Sequence, residues 1–134
     1  MVTKKVFIVP HTHWDREWYL PFQRFRYTLV QLIDELLTIL NEQDYVFMLD
    51  GQTVVLEDYM EIRPERRPEL MQRIREEKIA VGPWYLLPDE WLVGAESLIR
   101  NLEFGQDLAA EHKIPLMDIA YLPDQFGHSS GIPQ

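Results

Sequence analysis

The sequence predicts an α/β fold in which parallel β-strands are joined by helical crossovers. Three observations predict it. Four short apolar runs are spaced along the chain, stretches with helical periodicity lie between them, and each run is followed directly by a polar or aromatic loop. Parallel strands cannot be joined by tight turns, so a helix-length connection between runs is what such a sheet requires.

Taken in order, Val6-Phe7-Ile8-Val9 is a continuous apolar run stopped by Pro10 and reads as a strand buried on both faces. Phe22, Phe25, Leu29, Leu32, Leu36 and Leu40 then recur at helical spacing, and Asn41 ends that helix. Tyr45 to Leu49 is the second strand, closed by Asp50-Gly51. A helix over Val54 to Ile62 is broken by Pro64, and Pro68 opens another through Leu70, Ile74 and Glu77. Ile79-Ala80-Val81 is a very short third strand ended by Gly82-Pro83. The longest later helix runs from Ala95 to His112 with Leu98, Leu102 and Leu108 inward. Gly105 inside it costs about 1 kcal/mol relative to alanine. Ile119 to Leu122 is the fourth strand. Only Pro123 to Gln134 follow it, with no helix to cover that strand and no strand to pair with its edge. Residues 1–134 therefore read as the N-terminal fragment of one larger domain, with no internal boundary.

Composition narrows the function. With 46% hydrophobic residues in 134, the chain can build a core without disulfides or a structural metal. Its net charge of −9 opposes binding to phosphate-rich partners, so neither nucleic acid nor an anionic membrane is expected. The absence of cysteine excludes a thiol nucleophile and a cysteine zinc site, and it fits a cytoplasmic location. The apolar run at Val6–Val9 is too short for a signal-peptide core or a membrane span.

In a parallel sheet, the loops after the strands gather at one edge, where α/β enzymes bind ligands. Here that edge would collect His11 to Tyr19, Asp50 to Gln52, Gly82 to Trp91 and Pro123 to Ser130. His13 and Asp15 lie two apart in extended chain, with side chains on one side, an arrangement that suits a divalent ion such as zinc. The competing reading is a histidine bonded at a strand end beside a loop carboxylate. His11 shares the orientation, as an alternative ligand or as a partner behind one. Asp124 reads equally as a metal ligand, a nucleophilic carboxylate or an aspartate capping its own turn. Asp89 and Glu90 read as caps on the approach to the helix at Ala95 or as a general acid and its neighbour. Trp18, Trp84 and Trp91 are either sugar-stacking walls or core.

Three ordered stretches are more specific. Val9-Pro10-His11-Thr12-His13-Trp14-Asp15-Arg16-Glu17-Trp18 resembles the opening strand and loop of the glycoside hydrolase family 38 α-mannosidases. Gly82-Pro83-Trp84 through Pro88-Asp89-Glu90, and Pro123-Asp124-Gln125-Phe126-Gly127-His128-Ser129, resemble the next two hallmark stretches of that family. The likeness covers nearly the whole chain and is closer to the bacterial branch. It implies the first part of an incomplete (β/α) barrel-like domain of the glycoside hydrolase/deacetylase kind, and a retaining α-mannosidase acting on terminal α-linked mannose. It further implies one Zn2+ held by His13, Asp15 and Asp124, with Asp124 also the nucleophile and Trp18 the floor under the mannose ring. The family's acid/base residue and fourth zinc ligand are expected beyond Gln134, so this piece alone is expected to be inactive. The expected partners are a mannose-containing carbohydrate, the remainder of the catalytic domain and, through an uncovered strand, a second copy. A metal-dependent carbohydrate deacetylase and a non-catalytic sugar-binding module are the competing functions.

Overall fold

The computed structural model describes residues 3–132. Met1, Val2, Pro133 and Gln134 of the unit expected over 1–134 lie outside them. The first helix, α1 (Phe22–Glu42), buries Leu29, Ile33, Leu36, Leu37 and Leu40 in one stripe. This is the i, i+3/i+4 pattern that places apolar residues on a single face. The strand β1 (Phe47–Gln52) follows, then α2 (Val54–Ile62), a 3-10 turn (Pro64–Arg66) and α3 (Arg67–Arg75), with Pro68 in its first turn as expected. The second strand, β2 (Ile79–Trp84), and the long helix α4 (Ala95–His112) complete the order.

β1 and β2 pair in parallel, Phe47 opposite Ile79 and Gln52 opposite Trp84, with register irregularities on either side of Asp50. The core lies where α1, α2 and α3 meet this sheet: Leu37, Val55, Leu56, Tyr59, Leu70, Ile74 and Val81 are all fully buried. Truncating Leu37, Leu56, Leu70 or Ile74 to alanine would cost about 2–5 kcal/mol, because the packed neighbours cannot fully close the hole. No helix among the described residues is long and apolar enough to cross a membrane.

Two expected strands are not strands. Val6, Phe7, Ile8 and Val9 are 81%, 74%, 87% and 62% exposed. Only the segment just after them touches the sheet, where Met48 N–H donates to the Pro10 carbonyl (2.9 Å) and Thr12 N–H to the Met48 carbonyl (3.2 Å). Pro10 has no N–H, so the contact cannot extend back into a ladder at that residue. Likewise Ile119 is 69% exposed, and the Tyr121 N–H folds back onto the Ile119 carbonyl (2.9 Å) in a three-residue turn. The contact with β2 lies just before that segment, where Met117 N–H donates to the Val81 carbonyl (3.0 Å). Among the described residues only two of the four expected strands, β1 and β2, form a sheet, and it is parallel as expected.

Candidate active site

The loop between Pro10 and α1 is pinned to the sheet edge at several points. The Thr12 hydroxyl donates to the Leu49 carbonyl. Trp14 packs against the core, its ring edge-on to Phe25 with centroids 6.1 Å apart. The Trp14 N–H donates to Asp50 Oδ2 (3.0 Å), and Gln52 Nε2 donates to the Trp14 carbonyl (2.5 Å). Further along, Arg16 grips the buried Asp58 of α2 with two parallel bonds of 2.7 and 2.9 Å, the bidentate geometry that favours arginine.

This anchoring brings three predicted residues together. His13 Nε2 lies 3.5 Å from Asp15 Oδ1 and 3.9 Å from Asp124 Oδ2, although Asp124 is separated from it by most of the chain. The side chains are 31%, 47% and 69% exposed, so the cluster opens to solvent. Asp124 has a left-handed backbone, φ 58°, which an aspartate tolerates better than most residues.

Whether these residues suit a metal can be tested on donor type and spacing. An imidazole nitrogen with two carboxylates is a donor set zinc accepts, and bonds of about 2.0–2.2 Å in a tetrahedron set neighbouring donors roughly 3.3–3.6 Å apart. The His13–Asp15 separation falls in that range, and the His13–Asp124 separation lies a few tenths beyond it. Among the described residues no group of three is already arranged to hold an ion. The fit is one of donor chemistry and pairwise spacing, not of a closed coordination shell.

Beneath this cluster Asp50 and Gln52 are wholly buried. Burial pushes the Asp50 carboxyl above its ordinary range, against the opposing hydrogen bonds from the Gln52 amide, the Gly51 N–H and the Trp14 N–H. The same Gln52 accepts from Leu87 N–H (3.3 Å), which ties the next loop to the first.

The loops at Pro88–Trp91 and Asp124–Ser129 are clasped to each other. Glu90, its side chain fully buried, accepts from His128 Nδ1–H (2.8 Å) and Ser129 N–H (2.7 Å). Gln125 Nε2 donates to the Pro88 carbonyl (2.8 Å), and Trp91 Nε1–H donates to the Gly127 carbonyl (3.2 Å). Its bond with His128 holds the Glu90 carboxyl below the usual range, against its burial and with help from Ser129 N–H.

Glu90 is not a cap on α4, whose N-terminus receives no side-chain capping bond; it fastens the Asp124 loop. Asp89 caps only its own turn, accepting from Trp91 N–H (3.1 Å). Trp84 is 3% exposed and belongs to the core, whereas Trp18 at 74% and Trp91 at 63% present free aromatic surface. His11 is turned to Tyr121, its Nδ1 3.0 Å from the tyrosine hydroxyl. The sequence reading assigned no part to Arg16 or Asp58, nor any individual role to Asp50 or Gln52. The signal for Asp58 was a lone carboxylate on the helical face of Val54 and Val55; that for Asp50 and Gln52 was two polar residues directly after an apolar run.

The family model described as the glycosyl hydrolases family 38 N-terminal domain matches residues 3–134. The chain belongs to glycoside hydrolase family 38. It is similar to a putative mannosylglycerate hydrolase of Halalkalibacterium halodurans, 42% identical over 133 residues, covering 98% of this chain and 15% of that protein. It is also similar to an α-mannosidase of Saccharomyces cerevisiae, 28% identical over 99% of this chain and 12% of the other. Among solved structures, an α-mannosidase from Enterococcus faecalis V583 superposes with a TM-score of 0.86 at 36% identity, over 90% of this chain and 14% of that one. The chain therefore spans about one seventh of the length of these relatives.

Proposed function

We propose that this chain is the N-terminal part of the catalytic domain of a retaining α-mannosidase that removes terminal α-linked mannose. The observation that carries the reading is the approach of His13 to both Asp15 and Asp124 in a chain of family 38. The mannosylglycerate hydrolase among its relatives, nearer in sequence than the yeast α-mannosidase, favours a small mannosyl conjugate as substrate. In this reading, β1 and β2 open an incomplete barrel-like parallel sheet that later chain completes. The absence of cysteine agrees with a cytoplasmic setting.

Asp124 is the nucleophile. Its carboxylate forms a bond to the anomeric carbon as the glycosidic bond breaks, and the departing oxygen takes a proton from a second carboxyl. Water then cleaves the resulting ester, and two inversions give net retention. In retaining enzymes the proton donor stands about 5–5.5 Å from the nucleophile. It is expected outside these residues, which is why the chain alone should not turn over. The exposed indole of Trp18 offers the flat apolar face on which a sugar ring stacks. His13, Asp15 and Asp124 would hold a zinc ion, which supplies Lewis-acid attraction for sugar hydroxyls and a template for ring distortion.

The test is hydrolysis of nitrophenyl α-mannoside by a longer protein that includes this chain, with the anomer of the first product read by NMR. Retained α-mannose, lost on Asp124→Ala and on chelation, is the expected result. Release of acetate from acetylated sugars without mannoside cleavage would instead establish a deacetylase. Sugar binding that survives both chelation and Asp124→Ala would leave only a binding module.

A further inference from the structure

Asp15 and His13 flank a residue whose two peptide groups are both held from below. The N–H of Trp14 belongs to the peptide joining it to His13, and that N–H donates to Asp50 Oδ2 at 3.0 Å. The carbonyl of Trp14 belongs to the peptide joining it to Asp15, and that oxygen accepts from Gln52 Nε2 at 2.5 Å. Each peptide is planar, so fixing one atom's direction in both planes leaves little freedom at the Cα atoms of His13 and Asp15. We propose that Asp50 and Gln52 are positioning residues that clamp the Trp14 backbone and thereby set the separation of His13 and Asp15. The inference rests on the reading of those two residues as metal ligands.

The clamp is built into the rigid part of the fold. Asp50 and Gln52 are two apart on β1, so their side chains emerge on the same face, and they are 0% and 1% exposed. They also bond to each other, Gln52 Nε2 to Asp50 Oδ2 at 2.8 Å, and Asp50 Oδ1 accepts from Gly51 N–H at 2.6 Å. The pairing with β2 is irregular on both sides of Asp50, the kind of local break that re-aims side chains next to sites. Burying a carboxylate and an amide is unfavourable unless both are bonded. Two apolar residues would fill this space as well for stability, but could not fix a backbone direction. Gln52 Oε1 extends the same network to the Leu87 N–H, so the first and second loops share one support.

The experiment compares wild type with Gln52→Met and Asp50→Asn, using cobalt(II) as a visible probe and amide hydrogen exchange at Trp14 in the metal-free protein. Gln52→Met keeps length and volume but offers no donor to Trp14. It is expected to bind cobalt about 10–100-fold more weakly, as outer partners of metal ligands generally do when removed. Its cobalt absorption bands should change, and its Trp14 amide should exchange faster while core amides such as Leu37 keep their protection. If Gln52→Met does not fold, Asp50→Asn carries the same comparison at unchanged volume. Equal cobalt affinity and equal Trp14 exchange in a folded variant would overturn the clamp while leaving the metal reading intact. A wild type with no His13-dependent cobalt would overturn the metal reading. Trp14 exchange would then decide the clamp, faster exchange in the variant supporting it and unchanged exchange overturning it.

Discussion

Gly105, in the middle of α4, lies so close to Pro83 that a Cβ built on it would come within 2.2 Å of the Pro83 carbonyl oxygen. Backbone atoms of Trp84 and Tyr85, each 3.0 Å away, close the other sides. An isolated helix would gain about 1 kcal/mol from alanine at this position. Here the helix packs backbone to backbone on the end of β2, and the substitution must push it away. Gly105→Ala is expected to destabilise the protein by about 1–3 kcal/mol. A thermal midpoint equal to or above wild type would contradict this packing.

Asp34 of α1 gathers the Tyr59 hydroxyl (2.7 Å), Arg66 (2.9 Å) and Arg63 (3.0 Å), joining α1 to α2 and to the turn before α3. Partial burial pushes the pKa of its carboxyl up, but the Tyr59 and Arg66 bonds, with Arg63, outweigh this and hold the carboxyl below its usual range. A depressed folded pKa means stability that is complete above the unfolded value and lost as pH falls through the folded one. Asp34→Ala should therefore cost about 1.5–3 kcal/mol at neutral pH, the worth of charge-assisted hydrogen bonds. The deficit relative to wild type should shrink below about pH 4, near the unfolded aspartate value. Urea titrations at pH 7 and at pH 3 measure both; an equal deficit at the two pH values would rule the mechanism out.

Glu90 fastens the Asp124 loop through His128 and Ser129. Because its carboxyl is held below the ordinary glutamate range, first by the His128 bond, the clasp is formed above that range and opens as acid protonates it. Trp91 reports on the clasp, since its Nε1–H bonds to the Gly127 carbonyl. Its fluorescence is expected to change with a midpoint below about pH 4.3, the ordinary glutamate value. Glu90→Gln, with one fewer anionic acceptor, should show the opened signal already at neutral pH. A variant whose Trp91 signal matches wild type at neutral pH would show that the clasp does not depend on the carboxylate.

Zinc analysis of the protein at neutral pH is expected to find binding that His13→Ala abolishes and that Asp15→Ala weakens. His13 lies within 4 Å of both carboxylates, so its loss removes the centre of the cluster. Chelation should release the metal without unfolding, because none of the three side chains belongs to the buried core. Zinc retained in full by His13→Ala would place the metal elsewhere.

The helices and the two paired strands were legible in the sequence because their signals are local. The stripe of Leu29, Leu36 and Leu40 and the run ending at Leu49 each specify an element within a few residues. The same reasoning failed at Val6–Val9 and Ile119–Leu122, which have strand-like composition but lack a continuous partner. Apolar content states what a segment can bury, whereas a strand exists only where a neighbour supplies hydrogen bonds. Likewise, the sequence placed Trp84 and Trp91 together on a rim, and only packing separated a buried indole from an exposed one.

The motif residues His13, Asp15 and Asp124 were identifiable from their types and from the order of the three stretches. Family membership follows from the same information, now matched over residues 3–134. Tertiary structure alone decided that Asp124 returns to within 3.9 Å of His13, that Asp50 and Gln52 grip the Trp14 backbone, and that Glu90 holds the loop behind Asp124. The reason is physical: residue type and spacing fix what chemistry is available and which local elements form. Which distant groups meet depends on loop paths, and those are set by buried polar bonds between residues far apart in the chain.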